Sequence, residues 1–171
     1  LRSLVGSEMC IRDRVEGSAG VSLLECVNPV KNKWRVRWDV QPSEQEGNAS
    51  YMEEEFSYKP TSEEVKVMVI NWYNQEINNE IMSGFTYNGI PVWLSQENQF
   101  NYKSAYDLAV QTGGTTLPVR FKFGTDNEPV YHEFKTLDEL TDFYTKAMAF
   151  VQQTLAVGWE KKDAVDLSLY Q

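Results

Sequence analysis

The chain carries one histidine, His132, and two cysteines, Cys10 and Cys26. That is too few for the Cys/His spacings that hold zinc. His132 stands in an alternating run, Val130-Tyr131-His132-Glu133-Phe134, and reads as a strand residue satisfied by packing. A general base would need an orienting partner and a nucleophile within hydrogen-bond reach, and the sequence pairs it with neither. Asp126-Asn127-Glu128 offers two carboxylates, but a calcium loop begun at Asp126 wants a bidentate Glu at its twelfth position, where Leu137 stands. It reads as a solvated turn. Consecutive strand residues alternate faces, so Glu53-Glu54-Glu55 reads as a charged edge or loop rather than a metal patch. Gly113-Gly114-Thr115-Thr116 follows a helical pattern and precedes a strand pattern, the reverse of a phosphate loop, and lacks its lysine. No serine sits in a G-x-S-x-G elbow. The expected catalytic, cofactor-binding and metal-ligating sets are therefore empty.

Aromatic residues make up 13% of the chain. They dominate both cores and interfaces. Trp34 and Trp38 on one strand face, or Trp93 and Trp159, are the candidate anchors for a partner, with core packing as the alternative for each.

These residues need elements to position them, and the pattern supplies an α+β order. Over residues 33–40, Trp34, Val36, Trp38 and Val40 alternate with Arg35, Arg37 and Asp39, a half-buried strand with the apolar set inward. Residues 21–27 and 51–56 are weaker strands, joined through Asn28-Pro29 and through 41–48, which contains Pro42 and Gly47. Together they predict an N-terminal antiparallel β region. Thr61 followed by Glu64 is a capping box, and Val65, Val69, Trp72, Ile77 and Ile81 mark the inner face of a helix stopped by Gly84. Tyr87-Asn88-Gly89-Ile90 predicts a type I′ hairpin, with Tyr87 facing Ile90, Phe85 facing Val92, and Pro91 at an edge. Ser95 caps a second helix through Gln111, with Tyr102, Tyr106, Ala109 and Val110 inward and Gly113-Gly114 as its stop. Residues 119–123 and 130–134 form a second hairpin. Thr136 and Glu139 cap a long helix with a stripe of Leu140, Phe143, Tyr144, Ala147, Val151, Thr154 and Leu155, which Gly158 weakens or ends. The fold class is α+β: an N-terminal antiparallel β region, then helix–hairpin–helix–hairpin–long helix.

The opening string LRSLVGSEMCIRDR, residues 1–14, resembles a translated sequencing adapter; a disordered native tail is the alternative. Its apolar runs of two or three residues are too short for a signal core. The expected division is 1–14 as a disordered artefact, 15–59 as the β-rich region and 60–171 as an α+β domain. Without the first segment Cys26 is alone, a cysteine usage suited to a reducing compartment or indifferent to redox. Three arginines and two acids leave with it, taking the net charge from −9 to −10. A pI near 4.7 repels a phosphate backbone, so no nucleic acid is expected as partner. The longest apolar runs, at 67–70 and 147–151, are far short of the roughly 20 residues that span a bilayer, so no membrane association is expected. A chain of 171 residues hides roughly 70% of its extended surface on folding and needs no disulfide or metal to hold it.

Ile81-Met82-Ser83-Gly84-Phe85 followed by Tyr87-Asn88-Gly89, then Ser95-Gln96-Glu97-Asn98-Gln99, the helix around Ala109, Tyr131-His132, and the terminal Gly158-Trp159-Glu160-Lys161-Lys162-Asp163 form a set. In these residues the chain, from about Ile77 onward, resembles the phage-associated domain-of-unknown-function family 4376. Members of that family occur in phages and prophages, often near tail-fibre genes, and in gut bacteria. The resemblance implies a non-enzymatic tail-associated role, as a structural component or a tail-fibre assembly factor, with no cofactor. Its partners would be a phage tail or fibre protein, or copies of itself. Its place would be the host cytoplasm during assembly, or the virion. The family pattern carries no catalytic residues. The region before Pro60 lies outside the shared pattern and would be a variable attachment module. A small-ligand-binding or enzymatic α+β domain of bacterial origin is the other reading.

Overall fold

A computed structural model of the chain describes residues 14–171. Residues 1–13, including Cys10, lie outside the described set, and with them nearly all of the segment read as adapter. The chain divides into two compact units, one built from residues up to Ile70 together with Asp166–Gln171, the other from Asn71–Val165. Packing therefore divides the chain inside the first helix, ten residues beyond Pro60.

The first unit holds a four-stranded antiparallel sheet of β1 (Val15–Ser18), β2 (Leu24–Asn28), β3 (Lys33–Pro42) and β4 (Asn48–Phe56), in the order β1-β4-β3-β2. β1 carries little sequence signal, since VEGS has no β-branched residue beyond Val15 and Gly17 interrupts it. β4 is an inner strand, so the expected charged edge at Glu53–Glu55 is corrected: Arg35 lies opposite Glu55 and Arg37 opposite Glu53, and the acids answer a basic strand. The inward face of β3 holds through Val36 and Trp38 and then breaks. Met52 faces Trp38 and Ser50 faces Gln41, so Asp39 and Val40 together oppose Tyr51 alone. Asp39 adopts a positive φ of 52° in this bulge, the alternation flips, and Val40 is exposed instead of inward. Arg14 fills the bulge: its guanidinium donates to the Asp39 carboxylate at 2.7 Å, to the Asp39 carbonyl, and to the Ser50 carbonyl at 3.0 Å.

α1 (Ser62–Ser83) starts where expected, with the Glu64 amide donating to the Thr61 hydroxyl at 3.1 Å. Its buried row is Val65, Val69, Tyr73, Ile77 and Ile81; Tyr73 takes the place expected of Trp72, because the row follows a strict i, i+4 ridge.

The second unit contains the rest of α1, the hairpin β5 (Thr86–Tyr87) and β6 (Ile90–Pro91), α2 (Gln96–Gln111), the hairpin β7 (Val119–Gly124) and β8 (Pro129–Phe134), and α3 (Leu137–Asp163). The order of elements is the one predicted. Asn88 and Gly89 have φ of 50° and 78°, as a type I′ turn requires, and Tyr87 lies opposite Ile90. The core centres on Phe143 of α3, whose ring centroid lies 5.2 Å from Tyr87, 5.0 Å from Tyr102, 5.1 Å from Phe123 and 5.2 Å from Phe134. One side chain thus holds both hairpins and α2 to the long helix. Val110, expected inward on α2, is exposed; Tyr102 and Ala109 carry the burial there. Gly158 does not end α3, which continues to Asp163. Its missing side chain leaves room for Ile77 of α1: a Cβ at Gly158 would stand 2.3 Å from both Ile77 Cδ1 and Cγ1. No helix among the described residues is long and apolar enough to cross a membrane.

Candidate functional site

His132 is half-buried on the inner face of the second hairpin, and rings surround it. Phe134 lies 4.4 Å away between centroids, and Tyr87 and Phe123 each 5.9 Å. Among the described residues no side chain hydrogen-bonds its imidazole, although its backbone pairs with Phe121 in the hairpin, and a general base requires such an orienting partner. Polar chemistry nearby belongs to Tyr87. Its phenol donates to the Asp142 carboxylate at 2.8 Å, and Lys146 donates to the same oxygen at 3.0 Å, one helical turn further along α3. Burial, then the bond to Asp142, pushes the Tyr87 phenol up to about 12; Lys146, then Tyr87, hold the Asp142 carboxyl below its usual range. The trio is neutralised internally and fastens the first hairpin to α3.

The other residues weighed as chemical candidates are dispersed. Asp126 and Glu128 are exposed in the turn between β7 and β8, where the Glu128 amide donates to the Thr125 hydroxyl at 3.1 Å. Gly113 and Gly114 close α2 with φ of 62° and 87°, and the Gly114 amide donates back to the Ala109 carbonyl at 2.8 Å. Cys26 lies on the outer strand β2 opposite Trp34. Among the described residues no three His, Cys, Asp or Glu side chains cluster to hold a metal ion. A shallow groove of about 240 Å³ runs between the two hairpin turns, lined by Gly89, Ile90, Pro91, Gly124, Thr125, Glu128 and Val130, with Glu128 its single ionisable group.

The buried charge that sequence reasoning placed at the surface is Arg37, 5% exposed. It donates to Glu53 and Glu25 at 2.7 Å each and to the Ser22 carbonyl at 2.8 Å, joining three strands of the sheet. Desolvation disfavours its charge, but the bonds to Glu25 and Glu53 outweigh that and leave its pKa raised. The acidic residues opposite β3 were the available signal, once the strands are paired.

The tryptophans named as anchors separate clearly. Trp38 is core and Trp34 half-buried, whereas Trp93 and Trp159 are 52% and 51% exposed. Trp93 is the better fixed of the exposed pair. Its neighbours Val92 and Leu94 are fully buried, their amides donating to the Phe85 and Met82 carbonyls at 3.0 Å each. The start of α2 holds the same segment from the other side. Asn98 Nδ2 donates to the Trp93 carbonyl at 2.7 Å and Gln99 Nε2 to the Leu94 carbonyl at 2.8 Å, while the Ser95 hydroxyl accepts from the Asn98 amide. The Ser95-Gln96-Glu97-Asn98-Gln99 motif is thus a clamp on the backbone that presents Trp93. Phe100, in the second turn of the same helix, is 68% exposed. The arrangement offers rigid aromatic area to a partner.

No curated protein and no solved structure matches the chain. The match to a protein family covers residues 64–171, beginning before the resemblance read from about Ile77 onward and taking in most of α1. Over those residues the chain belongs to the family described as Domain of unknown function (DUF4376).

Proposed function

We propose that the chain is a non-enzymatic, tail-associated protein of a phage or prophage, either a structural component or a tail-fibre assembly factor, that works by protein–protein contact. The observation that carries this reading is Trp93, held outward at 52% exposure by a backbone bonded on both sides. Tryptophan is enriched among the residues that dominate interfaces, and a backbone already fixed in place leaves less entropy to lose on binding. The aromatic shell of His132 supports the absence of acid–base chemistry. The phage setting rests on the resemblance to a family whose members occur in phages and prophages, often near tail-fibre genes, and in gut bacteria. The protein then acts in the host cytoplasm during assembly, or in the virion, with a tail or fibre protein or with copies of itself as partner. A net charge of −9 suits a factor that stays dispersed until it meets that partner. The test is light scattering behind a sizing column, on the chain alone and with a purified tail-fibre protein, for wild type and Trp93→Ala. A complex lost in the variant, with unchanged circular dichroism, supports the reading. Complexes equally stable in both count against it, and a turnover abolished by His132→Ala would favour the enzymatic reading.

A further inference from the structure

Beyond α3 the chain forms a single turn of 3₁₀ helix, Leu167–Tyr170, begun by Asp166, whose carboxylate accepts from the Ser168 amide at 3.0 Å and its hydroxyl at 2.6 Å. Of residues 166–171 only Tyr170 is buried, at 3% exposure; Leu169 is 55% exposed. The Tyr170 phenol donates at 2.7 Å to the backbone carbonyl of Arg37 on β3. The Arg37 amide donates to the Leu23 carbonyl at 2.8 Å, and β2 begins only at Leu24. In an antiparallel strand the amide and carbonyl of one residue point to the same neighbour. Tyr170 therefore supplies the donor for an inner-strand carbonyl just where the adjoining strand has run out. An acceptor of that kind, left unpaired, is costly, so the phenol is bound for its hydrogen bond as well as its ring.

Two further facts make this contact more than a tail packed on a surface. Asp166–Gln171 belongs to the first compact unit, while all of Asn71–Val165, the second unit, lies between it and the rest of that unit in sequence. The first unit is thus closed by six residues that return to it through one buried side chain. The family match starts at residue 64 and so includes this closing segment, but it excludes the strands that the segment closes.

We propose that residues 166–171 are a strap that governs the opening of the N-terminal sheet unit, leaving the second unit unaffected. With Tyr170 seated, the Arg37 carbonyl is satisfied and the core around Val36, Trp38, Tyr51 and Met52 is shut. With Tyr170 withdrawn, by a partner that takes the C-terminal turn or by cleavage after α3, that carbonyl is orphaned and the sheet unit opens alone. The device gives the segment after α3 control over the N-terminal sheet, and it does not depend on the Trp93 surface.

Amide hydrogen exchange on the full chain tests it, comparing wild type, Tyr170→Phe and Tyr170→Ala. Tyr170→Phe keeps the ring and removes only the donor. It should speed exchange at Val36–Trp38 and Tyr51–Met52 about 5- to 10-fold, and Tyr170→Ala about 100-fold or more, while amides of α3 from Phe143 to Val151 keep their wild-type rates. Equal acceleration in both regions would make Tyr170 an ordinary contributor to global stability and overturn the strap. Unchanged exchange in the sheet of Tyr170→Phe would overturn it as well, whether or not the alanine variant folds.

Discussion

Replacing Gly158 with alanine should destabilise the second unit, although alanine is the better helix former. In an unhindered helix interior the exchange gains about 1 kcal/mol. Here the new methyl would stand 2.3 Å from Ile77 Cδ1 and Cγ1, against the 3.0 Å that real Cβ contacts essentially never breach. Ile77 is buried and branched at Cβ, so its Cγ1 has little freedom to step aside. Forcing a methyl group into such a contact costs about 1–3 kcal/mol, and some separation of α1 from α3 follows. The expected net loss is about 1–2 kcal/mol. In an Ile77→Ala background both clashing atoms are gone and the sign reverses. That change alone costs about 2–4 kcal/mol for the lost burial, but adding Gly158→Ala to it should then recover up to about 1 kcal/mol. The coupling between the two sites is therefore about 2–3 kcal/mol. Opening free energies from the slowest α3 amides measure all four members of the cycle in the unit that contains both residues. Stabilisation by Gly158→Ala in the Ile77 protein would refute the close-approach argument, as would additive effects across the cycle.

Two further outcomes follow from buried polar groups. Burial holds the phenols of Tyr102 and Tyr170, and burial with the Asp142 bond holds that of Tyr87, at about 12 against 10.0 for a free tyrosine. The folded chain keeps these protons where the unfolded chain has released them. Their contribution to stability is complete below about pH 10 and is lost as the pH climbs towards about 12. Phenolate absorbance should therefore show these three titrating last, together with alkaline unfolding; a single transition near 10 for all tyrosines would contradict this. Arg37→Ala, which takes the buried guanidinium from Glu53 and from the half-exposed Glu25, should cost about 1–3 kcal/mol in the first unit, and Arg37→Met, which restores volume, distinctly less. Comparable losses for the two variants in urea unfolding would show that the ion pairs, lost in both, set the whole cost and that the volume Met restores counts for nothing.

The local code of the chain was legible where short-range physics decides. Asn88-Gly89 could be read because few residues tolerate two successive positive φ values, and Ser95 and Thr136 because a helix start leaves amides that a hydroxyl can satisfy. What escaped depends on pairing between distant segments. The bulge at Asp39 is set by the register of β3 on β4, and it alone turns Val40 outward. Arg37 reads as a surface residue until Glu25 and Glu53 are placed beside it. Gly158 looks like a helix stop to any local rule, since its purpose is the side chain of a residue 81 positions earlier. Tyr170 finds its acceptor 133 positions away, beyond any pattern of period 2 or 3.6. The presenting surface was half visible: Trp93 was among the candidates, but its distinction from Trp38 lies in burial.

The central claim is that the protein acts through a rigid aromatic contact at Trp93, and the most direct measurement is light scattering behind a sizing column on wild type and Trp93→Ala, alone and mixed with a tail-fibre protein. The account predicts a defined wild-type complex, with itself or with the fibre protein, that the variant fails to form while its circular dichroism is unchanged. Identical masses for both proteins in every mixture would contradict it.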